Sequence, residues 1–202
     1  MSQNYKREDY YKRKAREEKY PSRSVYKLKE IDAKYKLIKK GDLVLDLGCA
    51  PGSWILYISK KIGDRGRILG IDIADLKIEL PENAVFLKKD IMNLSASDLI
   101  KARGKYQVVV SDSAPATSGI DFVDVEGSLE LCEKSLEIAK EVLENGGNFL
   151  CKIFEGEGSY DFFKKVKQNF KFSKRFRPQA TRKQSREIYI AAKEFKGMCV
   201  KI

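Results

Sequence analysis

The 202-residue sequence contains no histidine, no long apolar run and no closely spaced pair of cysteines. Without histidine a Ser-His-Asp triad is impossible and most zinc sites are disfavoured, so any general base must be a lysine, a carboxylate, a tyrosine or a cysteine. No apolar run approaches the roughly 18 residues that span a bilayer, and acidic residues interrupt the basic amino terminus, unlike in a signal or transit peptide. These features predict a cytoplasmic protein that works without a membrane and without a metal ion.

The four cysteines are scattered along the chain rather than grouped. They include no CxxC pair, which disfavours both a zinc site and a disulfide framework. We therefore expect small buried thiols in a reducing cytosol. The residues concerned are Cys49, Cys132, Cys151 and Cys199.

The net charge of +11 is unevenly distributed. Residues 1–40 carry 14 basic against 6 acidic side chains, residues 41–163 carry 13 against 21, and residues 164–202 carry 13 against 2. Two basic ends around an acidic middle indicate that both ends fold onto one face and bind a polyanion such as RNA. The alternative, from charge alone, is a solvated lysine-rich surface.

Strand and helix patterns alternate along the chain, which indicates an α/β fold with helices on both faces of a mostly parallel, seven-stranded sheet. We expect one domain, with a basic extension at 1–40 and a catalytic core at 41–193. A charged helix or loose arm at 5–20 precedes the expected helices 22–35, 53–62, 95–102, 124–144 and 160–169. Asn145-Gly146-Gly147 is a strong signal for the end of the helix at 124–144. The expected strands are 42–47, 67–73, 84–87, 106–111, 148–154, 170–176 and 187–192.

The segment LDLGCAPGSW, residues 45–54, joins the first expected strand to a helix. Gly48 and Gly52 allow the backbone to approach a ligand closely, and the start of the helix offers unpaired N–H groups. The spacing is not GxGxxG, so a dinucleotide pyrophosphate fits poorly. This disfavours a nicotinamide-dependent oxidoreductase, the rival from another enzyme class.

Four aspartates are expected at the tips of consecutive strands, where open α/β sheets bind ligands. They are Asp46, Asp72, Asp90 and Asp112. Asp72 is placed to take ribose hydroxyls, whereas Asp90 could accept from an adenine amino group or simply cap a turn. Crowded like charges favour a cationic ligand, and the sulfonium of S-adenosyl-L-methionine would suit this rim.

Five segments resemble the FtsJ/RrmJ family of RNA ribose 2′-O-methyltransferases: SRSVYKLKEI (22–31), LDLGCAPGSW (45–54), SDSAPATSG (111–119), CKIFEGEG (151–158) and RPQATRKQSREIYI (177–190). The resemblance covers most of the chain and implies a Rossmann-like class I methyltransferase fold. It further implies S-adenosyl-L-methionine as cofactor and a ribose, most readily of a uridine, in large-subunit ribosomal RNA as substrate. The sequence departs from the family pattern at Pro21, Ser24 and Ser53, which leaves the fine RNA contacts open.

The resemblance also implies which residues act. A catalytic tetrad would consist of Lys27, Asp112, Lys152 and Glu187. The implied cofactor contacts are Gly52, Trp54, Asp72, Asp90 and Asp112, to which the glycine loop adds Gly48. Lys152 lies in an otherwise apolar strand, where an unpaired lysine is costly, so a purely structural role is disfavoured. Trp54 could equally be core packing.

Two roles for Lys152 are compatible with the sequence. A free lysine is protonated at neutral pH, so a proton acceptor must be desolvated or placed near another cation, here Lys27. Asp112 and Glu187 favour the protonated form of Lys152 instead, so they would orient the ammonium and the substrate. Alternatively, Lys152 stays charged and stabilises a developing alkoxide.

Basic side chains from both ends are expected to bind RNA, chiefly Arg23, Arg177, Arg182 and Lys183. Tyrosines among the amino-terminal charges could stack on unpaired bases. The wider expected track also contains Lys12, Arg13, Lys14, Arg16, Arg175 and Arg186, together with Tyr10, Tyr11 and Tyr20.

Two alternatives share most of these features. The same reaction on transfer RNA is one, although the chain continues only about ten residues past the last expected strand, which favours the ribosomal role. A catalytically silent RNA-binding factor for ribosome assembly is the other, and the presence of all four tetrad residue types argues against it. We expect a monomer, since no amphipathic face is left over for a partner.

Overall fold

The computed structural model describes residues 3–116 and 118–197, and within these ranges six α-helices flank one sheet of seven strands. The helices are α1 (Gln3–Glu17), α2 (Val25–Tyr35), α3 (Ser53–Ile62), α4 (Ala96–Arg103), α5 (Asp121–Val142) and α6 (Ser159–Asn169). The strands are β1 (Leu43–Leu47), β2 (Arg67–Asp72), β3 (Ala84–Lys88), β4 (Tyr106–Ser111), β5 (Leu143–Phe154), β6 (Phe170–Phe176) and β7 (Glu187–Phe195). In the described chain, none of the helices is long and apolar enough to cross a membrane.

The strand order is β3-β2-β1-β4-β5-β7-β6. Strands β1 to β5 run parallel, whereas β7 is antiparallel to both β5 and β6. The predicted Rossmann-like α/β fold with a mostly parallel, seven-stranded sheet is therefore confirmed. Because the order reverses at β1 and β4, the loops after these two strands diverge and leave a crevice at the carboxyl edge of the sheet.

Successive side chains of each strand enter opposite layers of the core. Leu45 and Leu47 of β1 pack in the layer that contains α5 and α6, whereas Val44 packs in the layer that contains α2 and α3. Both faces of the sheet are thus covered, as parallel strands require.

The two basic ends of the chain lie together on one side of the molecule, as the charge pattern predicted. Tyr20, Val25 and Tyr26 near the amino terminus form a buried cluster with Ala180, in the loop between β6 and β7. The main-chain N–H of Gln179 in the same loop donates to the carboxylate of Glu30 in α2 at 2.8 Å. Helix α2 therefore connects the amino-terminal segment to the carboxyl-terminal loop.

The predicted boundary between the helix at 124–144 and the strand that follows it is wrong. The signal at Asn145-Gly146-Gly147 predicted a helix over 124–144, but α5 ends at Val142 and β5 begins at Leu143. Leu143 is buried and pairs with Tyr106 of β4. Burial in the sheet therefore outweighs the turn propensity of the glycines. The two glycines lie instead where the pairing register between β4 and β5 shifts.

Candidate active site

A cleft of about 430 Å³ opens at the carboxyl edge of the sheet, among the loops that follow β1 to β4. Its volume is typical of small-molecule binding sites. Apolar side chains such as Ile73, Ile91 and Leu131 line it together with acidic groups. Four of the predicted cofactor residues are in this lining: Gly48, Asp72, Asp90 and Asp112.

The loop after β1 requires its two glycines. Gly48 has φ +74°, and a Cβ there would lie 2.4 Å from Oγ of Ser113, which belongs to the loop after β4. Gly52 has φ +108°, and a Cβ there would lie 2.6 Å from Cδ1 of Ile78. Any side chain at Gly48 would therefore press against Ser113 and separate the two loops that form the cleft.

Asp72 and Asp90 hold the cleft loops through their carboxylates. Asp72 accepts from the N–H of Ala50 at 2.8 Å and of Ala74 at 2.9 Å, which ties the loop after β1 to the loop after β2. Asp90 accepts from the N–H of Met92 at 2.9 Å and so caps a short 3-10 turn. Each carboxylate keeps further lone pairs for ligand hydroxyl or amino groups.

Asp46 does not lie at the rim, and this part of the prediction is wrong. It is the fourth residue of the five-residue strand β1, and its side chain is fully buried. Within the described chain neither of its carboxylate oxygens has a hydrogen-bond partner. Burial, and then the charges of Asp112 and Asp72, raise the pKa of Asp46 well above its usual value. The rim is therefore formed by three aspartates, with a fourth buried beneath them.

The side chain of Trp54 is not part of the cleft lining. Its indole is buried, lies 6.1 Å from the ring of Tyr189 and donates from Nε1 to the main-chain oxygen of Ser24 at 3.1 Å. The side chain thus has the packing position that the sequence allowed as an alternative. Gly52 is also outside the lining, so a cofactor contact at either residue would come from its backbone at the start of α3.

Lys152 and Asp112 form the first of two ion pairs beside the cleft. Lys152 projects from β5, is 7% exposed, and places Nζ 3.2 Å from Oδ1 and 2.5 Å from the main-chain oxygen of Asp112. Asp112 follows β4 and donates its N–H to Leu47 of β1 at 3.1 Å. A buried lysine requires such partners, and these two oxygens provide them.

Lys27 and Glu187 form the second ion pair. Nζ of Lys27 lies 2.6 Å from Oε1 of Glu187, and the two side chains are only 13% and 11% exposed. Lys27 is in the first turn of α2, and Glu187 is the first residue of β7. Residue 189 of β7 pairs directly with Lys152 of β5, and side chains two apart share a face. The structure therefore brings all four residues of the predicted tetrad to one side of the sheet.

Tyr189 joins the two ion pairs, and the sequence analysis missed it. Its hydroxyl is fully buried and donates to Oδ1 of Asp112 at 2.7 Å. Burial, followed by the charges of Asp112 and Glu187, raises the pKa of Tyr189 well above its usual value, so the hydroxyl remains a donor. The signal that could have found it is its spacing two residues after Glu187 on the same face of one strand.

A second cleft, of about 370 Å³, has basic and polar walls. Lys27 and Glu187 belong to its lining, together with Arg23, Arg182, Gln184 and Ser185. Asp112 lines the first cleft, so the ion pairs and Tyr189 connect the acidic, apolar cleft to the basic one. Two of the predicted RNA-binding arginines are thus beside the tetrad.

Arg177, a predicted RNA contact, also holds the neighbouring loop. Its guanidinium donates to the main-chain oxygens of Arg182 at 3.0 Å and Lys183 at 3.2 Å, and also to that of Ser185. All three oxygens lie around Nη2, whose two N–H groups they share. Arg177 therefore holds the loop that presents Arg182 and Lys183.

Other residues of the expected RNA track are already engaged within the protein. Arg175 and Arg186 form ion pairs with Glu155 and Asp121. Tyr20 is buried, so the prediction that its ring stacks on a base is wrong. The apolar cluster around α1 and α2 covers that ring, whereas Tyr10 is 44% exposed.

The cysteines agree with the expectation of buried free thiols as far as they are described. Cys49, Cys132 and Cys151 are buried and unpaired to any other cysteine of the described chain, whereas Cys199 lies outside the described residues. Among residues 3–116 and 118–197, no group of three or more cysteine, aspartate or glutamate side chains is arranged to hold a metal ion.

Comparisons with known proteins bear on this site. Residues 20–195 match the family model described as FtsJ-like methyltransferase. A protein of Desulfatibacillum aliphaticivorans named ribosomal RNA large subunit methyltransferase E is 46% identical over 189 residues, which are 94% of this chain and 91% of that protein. A protein of the same name from Desulforapulum autotrophicum is 48% identical over 183 residues, 90% of each chain.

A solved structure is also similar. The crystal structure of a protein described as a ribosomal RNA methyltransferase, from Plasmodium falciparum, has a TM-score of 0.77 and 28% sequence identity. The match covers 89% of this chain and 100% of that one.

Proposed function

The chain belongs to the FtsJ-like methyltransferase family, and on that premise we propose that it methylates a ribose 2′-hydroxyl of large-subunit ribosomal RNA. S-adenosyl-L-methionine is the methyl donor. The names of the curated relatives support this substrate. A ribosomal substrate would also place the protein in the cytoplasm.

The observation that carries the proposal is the pair of buried ion pairs that connects two chemically different clefts. One cleft has aspartates at the carboxyl edge of the sheet, where α/β folds bind nucleosides. The other has arginines suited to RNA phosphates. A nucleoside cofactor in the first cleft and an RNA chain in the second would bring their reacting atoms together beside Asp112, which lines the first cleft and pairs with Lys152.

The residues of the first cleft fit S-adenosyl-L-methionine. Glycine at position 48 leaves space that a Cβ would remove, and the rim carboxylates of Asp72, Asp90 and Asp112 suit hydroxyl, amino and cationic groups. When bound, the cofactor supplies an electrophilic methyl group. The protein must then hold the 2′-hydroxyl in line and handle its proton as the new carbon–oxygen bond forms.

Lys152 is the group that we assign to that proton. Asp112 accepts from both Lys152 and Tyr189, so it fixes the direction of the amine and keeps the site ordered before substrate enters. Lys27 and Glu187 form the wall shared with the basic cleft. If Lys152 instead stays charged, it acts by stabilising the alkoxide, and a pH–rate profile separates the two roles because only a proton acceptor loses activity when it is protonated.

The test is to incubate the protein with methyl-labelled S-adenosyl-L-methionine and large ribosomal subunits that lack modification. Alkaline hydrolysis of the RNA follows, and transfer RNA serves as the comparison substrate. A ribose methyl blocks cleavage at its own linkage, so label should remain in an alkali-resistant dinucleotide from the large subunit. Label in mononucleotides would show base methylation, and label in transfer RNA alone would reassign the substrate.

A matched pair of variants completes this experiment. Lys152→Ala removes the buried amine, whereas Lys164→Ala removes an exposed amine of α6 that pairs with Asp161. We expect label to be lost only with Lys152→Ala.

A further inference from the structure

We infer that Ser53 and Trp54 are positioning residues. They attach residues 22–24, which precede α2 and its proposed RNA contacts, to the cofactor loop, residues 48–52 after β1. This inference rests on the proposed function. The two residues begin α3, directly after Gly52. Their side chains do not line the cofactor cleft. Both are buried and point instead at residues 22–24, which lead into α2.

The Ser53 hydroxyl makes three contacts with one residue. Its Oγ accepts from the main-chain N–H of Ser22 at 2.8 Å and lies 3.1 Å from the main-chain oxygen and 3.0 Å from Oγ of the same residue. Oγ of Ser22 is in turn 2.6 Å from Oγ of Ser24. A glycine at position 53 would make none of these contacts. The hydroxyl therefore fixes both the backbone and the side chain of the turn before α2.

Trp54 makes the second attachment. Its Nε1 donates to the main-chain oxygen of Ser24 at 3.1 Å, and its ring packs 6.1 Å from that of Tyr189. One side chain thus contacts both the turn before α2 and the tyrosine that joins the two ion pairs. This accounts for a buried tryptophan beside the cofactor loop without any contact between its ring and the cleft.

The turn held by Ser53 and Trp54 leads to residues of the proposed RNA site. Arg23 lies within it, and Lys27 follows one helical turn later. Both line the basic cleft, and Lys27 pairs with Glu187. Because Lys27 must meet Glu187 at 2.6 Å, a displacement of the start of α2 by even one ångström would disturb the tetrad and the RNA cleft together.

The contacts predict a selective defect. Loss of the Ser53 hydroxyl leaves Gly48, Asp72 and Asp90 in place, so affinity for S-adenosyl-L-methionine is kept. The start of α2, with its proposed RNA contacts, is held less firmly. The variant should therefore lose kcat/KM on RNA while it keeps its affinity for S-adenosyl-L-methionine. A residue that merely stabilises the fold would affect neither affinity at temperatures well below the melting point.

The experiment compares Ser53→Ala with Ser59→Ala. Ser59 lies in the same helix, and its hydroxyl donates to Asn83 at 2.6 Å, away from α2, so it is a matched control for loss of a serine hydroxyl. Affinity for S-adenosyl-L-methionine is measured by calorimetry, and kcat/KM is measured on undermethylated large subunits, below the melting temperature of each variant. We expect about a tenfold loss of kcat/KM for Ser53→Ala, the size of one or two hydrogen bonds, with cofactor affinity within about twofold.

Trp54→Phe is the second variant, since it removes one donor and keeps an aromatic ring. It should lower kcat/KM in the same direction with cofactor affinity unchanged. The inference is overturned if Ser53→Ala keeps wild-type kcat/KM, if its cofactor affinity falls in parallel, or if Ser59→Ala shows the same loss. Failure of the wild-type protein to methylate large subunits would instead refute the proposed function, so the two outcomes are distinct.

Discussion

Asp112 lies between the two halves of the candidate site, so replacing it with asparagine is the most informative single change. Asp112→Asn keeps the shape of the side chain but removes the negative charge. That charge is 3.2 Å from Nζ of Lys152, and the same oxygen accepts from Tyr189 at 2.7 Å. The Lys152 side chain is only 8% exposed and that of Asp112 16%, so little water reaches the pair to replace the lost partner.

The magnitude follows from this burial. Removing one member of a buried ion pair costs about 3–5 kcal/mol, because the remaining charge is left uncompensated. In a protein of this size each 1 kcal/mol shifts the melting temperature by about 2–4 °C, which gives a decrease of about 6–20 °C. If about 3 kcal/mol of the loss is felt in the transition state, kcat/KM decreases by about a hundredfold, since 1.36 kcal/mol corresponds to a factor of ten.

The assay measures methyl transfer to undermethylated large subunits and thermal unfolding by circular dichroism. The control is Asp161→Asn, which removes the charge of a 73%-exposed aspartate paired with Lys164 and should change neither quantity. An Asp112→Asn variant whose kcat/KM stays within about threefold of the wild type would refute the argument, since buried pairing would then have no catalytic role.

Three further predictions concern the buried acid, the glycine loop and the basic loop. Asp46 has a raised pKa in the folded state, so between its ordinary and its raised value the folded protein binds the extra proton and stability falls as pH rises. Urea unfolding from pH 4 to 8 should therefore show Asp46→Asn gaining stability relative to the wild type as pH increases, and a constant difference would contradict the raised pKa. Gly48→Ala should cost at least about 1–3 kcal/mol of stability and abolish cofactor binding in calorimetry, because a Cβ would clash with Ser113; unchanged binding would show that the loop can move. Charge reversal at Arg182 and Lys183 should weaken RNA binding and reduce its salt slope by about two, and an unchanged slope would remove this loop from the RNA track.

The architecture could be predicted from the sequence because its signals are local. Apolar runs bounded by turns are sufficient to locate seven strands, and alternation with helices implies parallel pairing. The boundary at Leu143 could not be predicted, since it depends on pairing with Tyr106, which is 37 positions earlier in the chain. Whether the local turn signal or the pairing with a distant strand sets this boundary depends on contacts that exist only in the complete sheet.

The candidate site was predictable to a similar extent. The motifs identified the four residues of the tetrad. The link between its two ion pairs depends on Tyr189, which the register of β5 and β7 places opposite Lys152 and within hydrogen-bond distance of Asp112. Asp46 and Trp54 show the opposite case, in which a residue inside a motif is buried away from the cleft that the motif forms. Arg177 was placed in the RNA track by its charge, and its hydrogen bonds to the loop that carries Arg182 and Lys183 could not be predicted from the sequence.

The most direct test of the central proposal is methyl transfer by Lys152→Ala, measured together with its affinity for S-adenosyl-L-methionine. The proposed reaction centre predicts no detectable transfer to large subunits, with cofactor affinity within a few-fold of the wild type, because Lys152 is not part of the cofactor cleft lining. Transfer at near wild-type rate would contradict the role of this amine in the reaction. Loss of folding or of cofactor binding would make Lys152 a structural residue instead.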